Sequence, residues 1–393
     1  MGADRTSTGV RGGSREGVSK FSLAFRAEKG DIYSMNIIGT PQRYIQGIGA
    51  LDQIGTIIKD FGKAPFFIAD AIVMKIVRPR LENILKDQGL KSFFEEFKGQ
   101  CSRSEIGRLA RKCRDAGCDI AIGLGGGKTI DTTKALKLEL GIPLIIAPTI
   151  ASNDSPTSRI IVVYSDEGVF SEGLFLPFNP EVVLVDTAII AQAPLRFLVA
   201  GIGDALATKF EAEQCYRSGG LNFFKARPCQ AALTMADTCY QIIRRNGVLA
   251  KKAIEAGLVT EAVEQVVEAN ILLSGIGFES GGLAAAHALN QGFTLLKETH
   301  NTLHGENVAF GLLAQFVLEN RDKGFMDEMI MFYKEIGLPC NLAAIGLKEV
   351  DEKKLDIISK HACRKGSYIF NMSVPIDEKR VSDAILMADI LGR

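Results

Sequence analysis

None of the eight cysteines (Cys101, Cys113, Cys118, Cys215, Cys229, Cys239, Cys340 and Cys363) forms a C-x-x-C pair. That argues against a Cys-type zinc site and against a disulfide framework. Free thiols in a reducing, cytoplasmic compartment are the expectation. A charge imbalance is missing too. Lys+Arg and Asp+Glu both number 46, so no global field draws the chain to nucleic acid or to an anionic membrane. No apolar run reaches the roughly 18 residues of a membrane helix, and there is no internal repeat. Histidine is scarce, with four in the whole chain.

What remains is an ordinary globular composition, 47% hydrophobic and 23% charged over 393 residues, with length for about two domains. Residues 1–34 stand apart as a Gly-, Ser- and Arg-rich stretch without helical or strand period, followed by a second methionine, Met35. They read as a disordered tail, a leader or an organelle transit sequence. Asp4, Glu16, Glu28 and Asp31 count against the last of these.

From about residue 36, short β-like runs alternate with helical ones. "FFIAD" precedes "AIVMKIVRPRLENILKDQG", "SFFEEF" precedes "SEIGRLARKCRDAG", and "PLIIAP", "RIIVVYS" and "EVVLVDT" come after them. Strands that are apolar throughout signal a mostly parallel sheet covered on both faces. After about Pro194 the pattern becomes long and helix-periodic. The expected organisation is an α/β domain over 35–193 and an all-α domain over 194–393, with a ligand cleft between them.

One stretch of the first half carries chemistry: "CDIAIGLGGGKTIDTTKALKLELG", Cys118 to Gly141. Glycines between a strand and a helix let backbone N–H groups approach an anion at the positive end of the helix dipole. A Walker A loop would need glycine where Ile122 stands, and a G-x-G-x-x-G fingerprint from Gly123 would need it at Lys128. The loop is therefore neither. A turn that binds nothing is the plainer alternative, though Gly123, Gly125, Gly126 and Gly127 cost folding entropy without structural need.

In the second half, His287 lies among small residues in "FESGGLAAAHALNQG", His304 opens "HGENVAFG", and Asp204 sits in the apolar "AGIGDALATKFEAE". An acid and two imidazoles suit a divalent ion with positions left open for water and substrate. Blander readings compete: Asp204 as a helix N-cap, and each histidine as a satisfied or surface residue. His300 and His304, four apart, mimic a paired site, but "KETHNTLHG" reads as a loop.

The motifs "GLGGGKTIDTTKA", "IAPTIASNDSPTS", "AGIGDALATKFEA", "GFESGGLAAAHA" and "HGENVAFG" together make the chain resemble the glycerol dehydrogenases. These are a branch of the metal-dependent group often called iron-containing alcohol dehydrogenases, related in fold to dehydroquinate synthase. The likeness runs from about Thr40 to Arg393. It implies that Gly126, Gly127, Lys128, Thr129 and Asp131 hold the pyrophosphate of NAD. Asp70 would lie near the adenosine ribose, where a carboxylate repels a 2′-phosphate and favours NAD over NADP; a helix cap is the equal alternative. Thr149 and Ser152 match hydroxyls near the nicotinamide, and Ser158, Ile160 and Tyr164 match further cofactor contacts, in a run that also reads as a buried strand.

The same resemblance makes Asp204, His287 and His304 the metal ligands. Where the iron-dependent branch has a further histidine one turn after the aspartate, this chain has Thr208, which favours Zn2+ over Fe2+. Asp154 would bind substrate hydroxyls, with an ordinary turn aspartate as its alternative; "SNDSP" departs from the expected S-T-D-A-P by placing Asn153 beside it. The implied reaction is oxidation of glycerol, or a related vicinal diol, to the ketone, by hydride transfer from a metal-activated hydroxyl to NAD. A homo-oligomer is also implied. Another polyol or alcohol dehydrogenase, a dehydroquinate-synthase-like lyase and a non-enzymatic binding module are the alternatives. The lyase would need a Lys/Arg cluster for an anionic substrate, which the metal-site segments lack.

Overall fold

The computed structural model describes residues 35–393; the segment 1–34, with its leader and targeting readings, lies outside the described residues. The strands are β1 (Arg43–Gly47), β2 (Pro65–Ala69), β3 (Phe93–Glu96), β4 (Ile120–Gly125), β5 (Leu144–Pro148), β6 (Ile160–Tyr164), β7 (Phe170–Phe175) and β8 (Val182–Asp186). Six of them form one sheet in the order β1-β8-β5-β4-β2-β3, every pair parallel. Crossovers use α1 (Ile54–Lys59), α2 (Ala71–Asp87), α3 (Arg103–Asp115) and α4 (Gly127–Leu140), and α5 (Thr187–Ala191) comes after the last strand.

Because side chains alternate along a strand, the sheet feeds two cores. Phe67, Ile122, Leu124 and Ile145 pack under α1 and α2. Phe66, Ile68, Ala121 and Ile146 join α3, α4 and the helical half in one continuous core. The run "RIIVVYS" is a correction to the sequence reading. It does form a strand, β6, but pairs antiparallel with β7 in a separate two-stranded ribbon. Its burial alternates, and β7 is largely exposed, so β7 carried no apolar run to announce it.

The chain direction reverses between β2 and β4. From β2 the chain moves outward to β3, then returns to β4 on the other side of β2. Open α/β sheets bind ligands at such a switch point, beyond the carboxyl ends of the strands. Ala69 pairs with Leu124 there, so Asp70 and the Gly-rich loop emerge side by side.

The second half is helical: α6 (Leu195–Ser218), α7 (Gln230–Glu255), α8 (Glu261–Glu268), α9 (Ser274–Gly281), α10 (Ala285–Phe293), α11 (His304–Leu318), α12 (Lys323–Ile336), α13 (Glu352–Ala362) and α14 (Glu378–Gly392). A π-turn, Ala269–Leu273, joins α8 to α9. No helix of the described residues is long and apolar enough to cross a membrane.

Candidate active site

Asp204 lies in the middle of the 24-residue α6, which removes the N-cap reading. His304 opens α11 and His287 sits in α10. Glycine makes their meeting possible. A Cβ on Gly305 would lie 1.8 Å from the carbonyl oxygen of Ala200, and one on Gly203 would lie 2.5 Å from that of Gly305. Backbones of α6 and α11 thus touch, and His304 is delivered beside Asp204.

Candidate ligand atoms of Asp204, His287 and His304 fall within 4.8 Å of one another. Nε2 of each histidine stands 3.3 Å from Asp204 Oδ1. Neither oxygen of this fully buried carboxylate has a hydrogen-bond partner. A buried charge without partners is costly, whereas three donors converging on one point suit a divalent ion. The residues therefore fit a metal. Burial by itself raises the Asp204 carboxyl, but the two imidazoles outweigh it and hold it below the usual carboxylate range. For His287, burial favours the neutral ring, yet Glu211 and Asp204 push its pKa well above the ordinary value. The His304 side chain is 41% exposed, against 9% for His287, so the site opens on that side. His300 does not join: its Nε2 lies 3.3 Å from the Thr294 carbonyl oxygen.

Sequence reasoning missed the carboxylate behind His287. Glu211, fully buried two turns beyond Asp204 on α6, stands with Oε2 2.5 Å from His287 Nδ1. Its Oε1 accepts from the backbone N–H groups of Ala284 at 2.8 Å and His287 at 3.0 Å. A carboxylate there fixes the proton on Nδ1 and leaves Nε2 free for a metal. The signal was available as the seven-residue spacing from Asp204 within "DALATKFE". Asn290 does the same for His304, its amide 3.1 Å from Nδ1. Its Oδ1 lacks a partner, so the amide belongs in the flipped orientation, Oδ1 accepting from Nδ1–H.

Asp154 is buried, and its Oδ2 accepts from Ser274 Oγ at 3.0 Å. Burial raises its pKa well above the usual range, and the charge of Asp204 adds to the effect. Asp154 does precede a turn, Ser155–Thr157, but it is buried and does not cap that turn with its side chain. Ser274 Oγ also lies 2.8 Å from Thr208 Oγ1, so the hydroxyl that stands where a third histidine ligand would be is already engaged.

At the switch point, Gly125 has φ 154, and α4 is preceded by Gly126, an N-cap that has no side chain to offer. Its first N–H groups, on Gly127, Lys128 and Thr129, have no partner within the helix. The Thr149 N–H donates to Gly125 O at 3.1 Å, bringing Thr149 and the half-buried Ser152 alongside. Lys128 Nζ lies 5.5 Å from the centre of the Tyr164 ring, and Ile160 is half-buried in the same ribbon. Asp131 and Ser158 lie beneath the loop. Asp131 accepts from Ser155 Oγ at 2.9 Å and from Val162 N–H at 3.0 Å, and Ser158 Oγ donates to Ser155 O at 3.2 Å. The cap reading of Asp70 is realised: its Oδ1 accepts from the N–H groups of Ile72 and Val73, both at 2.9 Å. No hydrogen bond among the described residues uses its Oδ2.

Comparison with known proteins gives consistent results. The family described as "Iron-containing alcohol dehydrogenase" matches residues 41–187. The chain is 44% identical to a glycerol dehydrogenase of Citrobacter freundii, covering 91% of this chain and 98% of that protein. It is 41% identical to a glycolaldehyde reductase of Halobacterium salinarum, covering 91% and 98%. The crystal structure of glycerol dehydrogenase from Schizosaccharomyces pombe superposes with a TM-score of 0.88 at 35% identity, covering 92% of each chain.

Proposed function

Since the chain belongs to the iron-containing alcohol dehydrogenase family, we propose that it is an NAD-dependent glycerol dehydrogenase, oxidising glycerol and related vicinal diols to the ketone. The observation that carries the reading is the convergence of Asp204, His287 and His304 on one point, with both Asp204 oxygens unpartnered. Glycerol dehydrogenases are prominent among the relatives that match nearly the full chain.

Asp204 and the Nε2 atoms of His287 and His304 would hold the metal, with Glu211 and Asn290 orienting the two rings. When bound, the divalent ion supplies Lewis acidity toward a substrate hydroxyl, and the nicotinamide accepts hydride. Zinc is favoured over iron because Thr208 is committed to Ser274 rather than available as a fourth ligand. Gly126, Gly127, Lys128 and Thr129 cradle the pyrophosphate, Asp131 and Ser158 brace that loop from below, and Asp70 accepts from the ribose while capping α2. Thr149 and Ser152 border the nicotinamide, with Ile160 and Tyr164 closing the far side. Asp154 accepts a hydrogen bond from the hydroxyl that is not oxidised, which selects polyols over simple alcohols.

The eight thiols, none of them paired, support a cytoplasmic, reducing setting. A homo-oligomer belongs to the proposal as well, supported by the exposed apolar side chains of Val169, Phe170 and Phe178 on and after the ribbon; sedimentation measures it. The functional test is NAD reduction with glycerol, 1,2-propanediol, glycolaldehyde hydrate and ethanol, before and after treatment with a strong chelator. Chelator-sensitive activity restored by zinc, and highest with glycerol, is the expected outcome. Full activity in a protein shown to be metal-free would sink the proposal.

A further inference from the structure

The π-turn Ala269–Leu273 interrupts one long helix between α8 and α9. Such a turn adds a residue to the helical ladder, rotating the next stretch of helix and releasing backbone groups for other partners. Here both consequences are used. The Ile271 carbonyl accepts from Thr157 Oγ1 at 3.0 Å. Asn270 Nδ2 donates to the carbonyls of Ala151 at 3.1 Å and Leu198 at 3.3 Å. Ser274, the first residue after the turn, holds Asp154.

These partners come from separate parts of the site. Ala151 lies between Thr149 and Ser152, on the loop assigned to the nicotinamide side, and Leu198 belongs to the first turn of α6, the helix that carries Asp204. Thr157 closes the segment that bears Asp154. Backbones meet there without slack. A Cβ on Gly201 would stand 1.9 Å from Ala151 O, and one on Gly275 would stand 1.8 Å from Thr157 Oγ1. Two carbonyl partners fix the amide orientation of Asn270, which leaves its Oδ1 buried with no partner. A residue kept only for packing would not carry that cost.

We propose that Asn270 is a positioning residue for hydride transfer, its amide locking the loop beside the nicotinamide to the metal-bearing helix in one register. The proposal rests on the dehydrogenase reading above. Hydride transfer requires reacting atoms at near-contact distance, so a slip of about 1 Å costs on the order of a hundredfold in rate. Metal and cofactor are each bound by other residues and should be retained.

The test compares wild type with Asn270→Ala and Thr157→Val. The readouts are thermal unfolding, metal content, the NAD dissociation constant, kcat, and the kinetic isotope effect with perdeuterated glycerol. Asn270→Ala is expected to lower kcat by roughly ten- to a hundredfold while NAD affinity and metal content stay within about threefold, with a larger isotope effect as hydride transfer becomes limiting. Thr157→Val, which removes one bond at the same turn, is expected to lose a smaller factor in kcat, and Thr157→Ser to recover it. A folded Asn270→Ala with wild-type kcat and isotope effect overturns the proposal. So does a parallel loss of metal, NAD binding and rate with no change in isotope effect, the mark of general structural damage. Should Asn270→Ala unfold, an unaltered kcat and isotope effect in Thr157→Val overturns it. Wild-type protein inactive toward glycerol and NAD refutes instead the functional reading beneath it.

Discussion

Replacing Glu211 by glutamine isolates the contribution of the carboxylate that backs His287. The side chain is fully buried, and its two oxygens divide the work between the imidazole and two backbone N–H groups. Glutamine has the same shape and can still accept from the Ala284 and His287 amides. What it removes is the negative charge that holds the proton on Nδ1 and raises the basicity of Nε2. Loss of such an outer partner weakens metal binding about 10- to 100-fold, or roughly 1.4–2.7 kcal/mol. Alanine should do more harm, because it also strands two buried N–H groups at about 1–3 kcal/mol each. Zinc affinity, measured by competition with a chromophoric chelator, should therefore fall in the order wild type, Glu211→Gln, Glu211→Ala, with a lowered melting temperature marked only in the alanine variant. At saturating zinc, Glu211→Gln should regain most of its kcat. Zinc affinity in Glu211→Gln within twofold of wild type would refute the reasoning, and Glu211 would then be a structural acceptor for α10.

The same geometry sets the outcome of other perturbations. The metal-free protein keeps His287 protonated because Glu211 and Asp204 raise its pKa; a raised value means the proton is held until pH climbs through it. Zinc uptake should accordingly weaken as pH falls and release protons, seen by calorimetry in buffers of different ionisation enthalpy; uptake independent of buffer and pH argues against it. Asp70→Asn keeps an oxygen for the α2 cap but loses the charge, so NADP use should rise with little change in melting temperature; an unchanged NAD/NADP preference would leave Asp70 as a cap alone. Asp154→Asn should reduce kcat/KM for glycerol by up to about tenfold, equivalent to roughly 0.5–1.5 kcal/mol for a hydrogen bond to a carboxyl that burial disposes to be neutral, and affect ethanol much less. Equal losses for both alcohols would assign Asp154 to support of the site rather than to substrate choice.

Much of the architecture could be read directly from the sequence because its causes are local. Apolar strand runs announced the parallel sheet, and helix periodicity announced the second half. The glycines before Lys128 marked a helix start left uncapped, and "FFIAD" offered Asp70 as a cap or a ribose partner, of which the structure shows the cap. The ligand types of the candidate metal site were visible too, in an acid and scarce histidines set among small residues. What single-chain periodicity could not give was anything fixed by long-range contact. The solvent-facing β7 carries no apolar signature, so the ribbon that takes β6 out of the main sheet stayed hidden. Glu211 resembled any helical glutamate until α10 was laid across α6. Asp154 resembled a turn aspartate until α9 buried it. The convergence of Asp204, His287 and His304 depends on backbone contact at Gly203 and Gly305, between helices about a hundred residues apart in the chain. Sequence supplied the donors and the local folds that carry them; only close packing of α6, α10 and α11 decided that their ligand atoms would fall within 4.8 Å of one another.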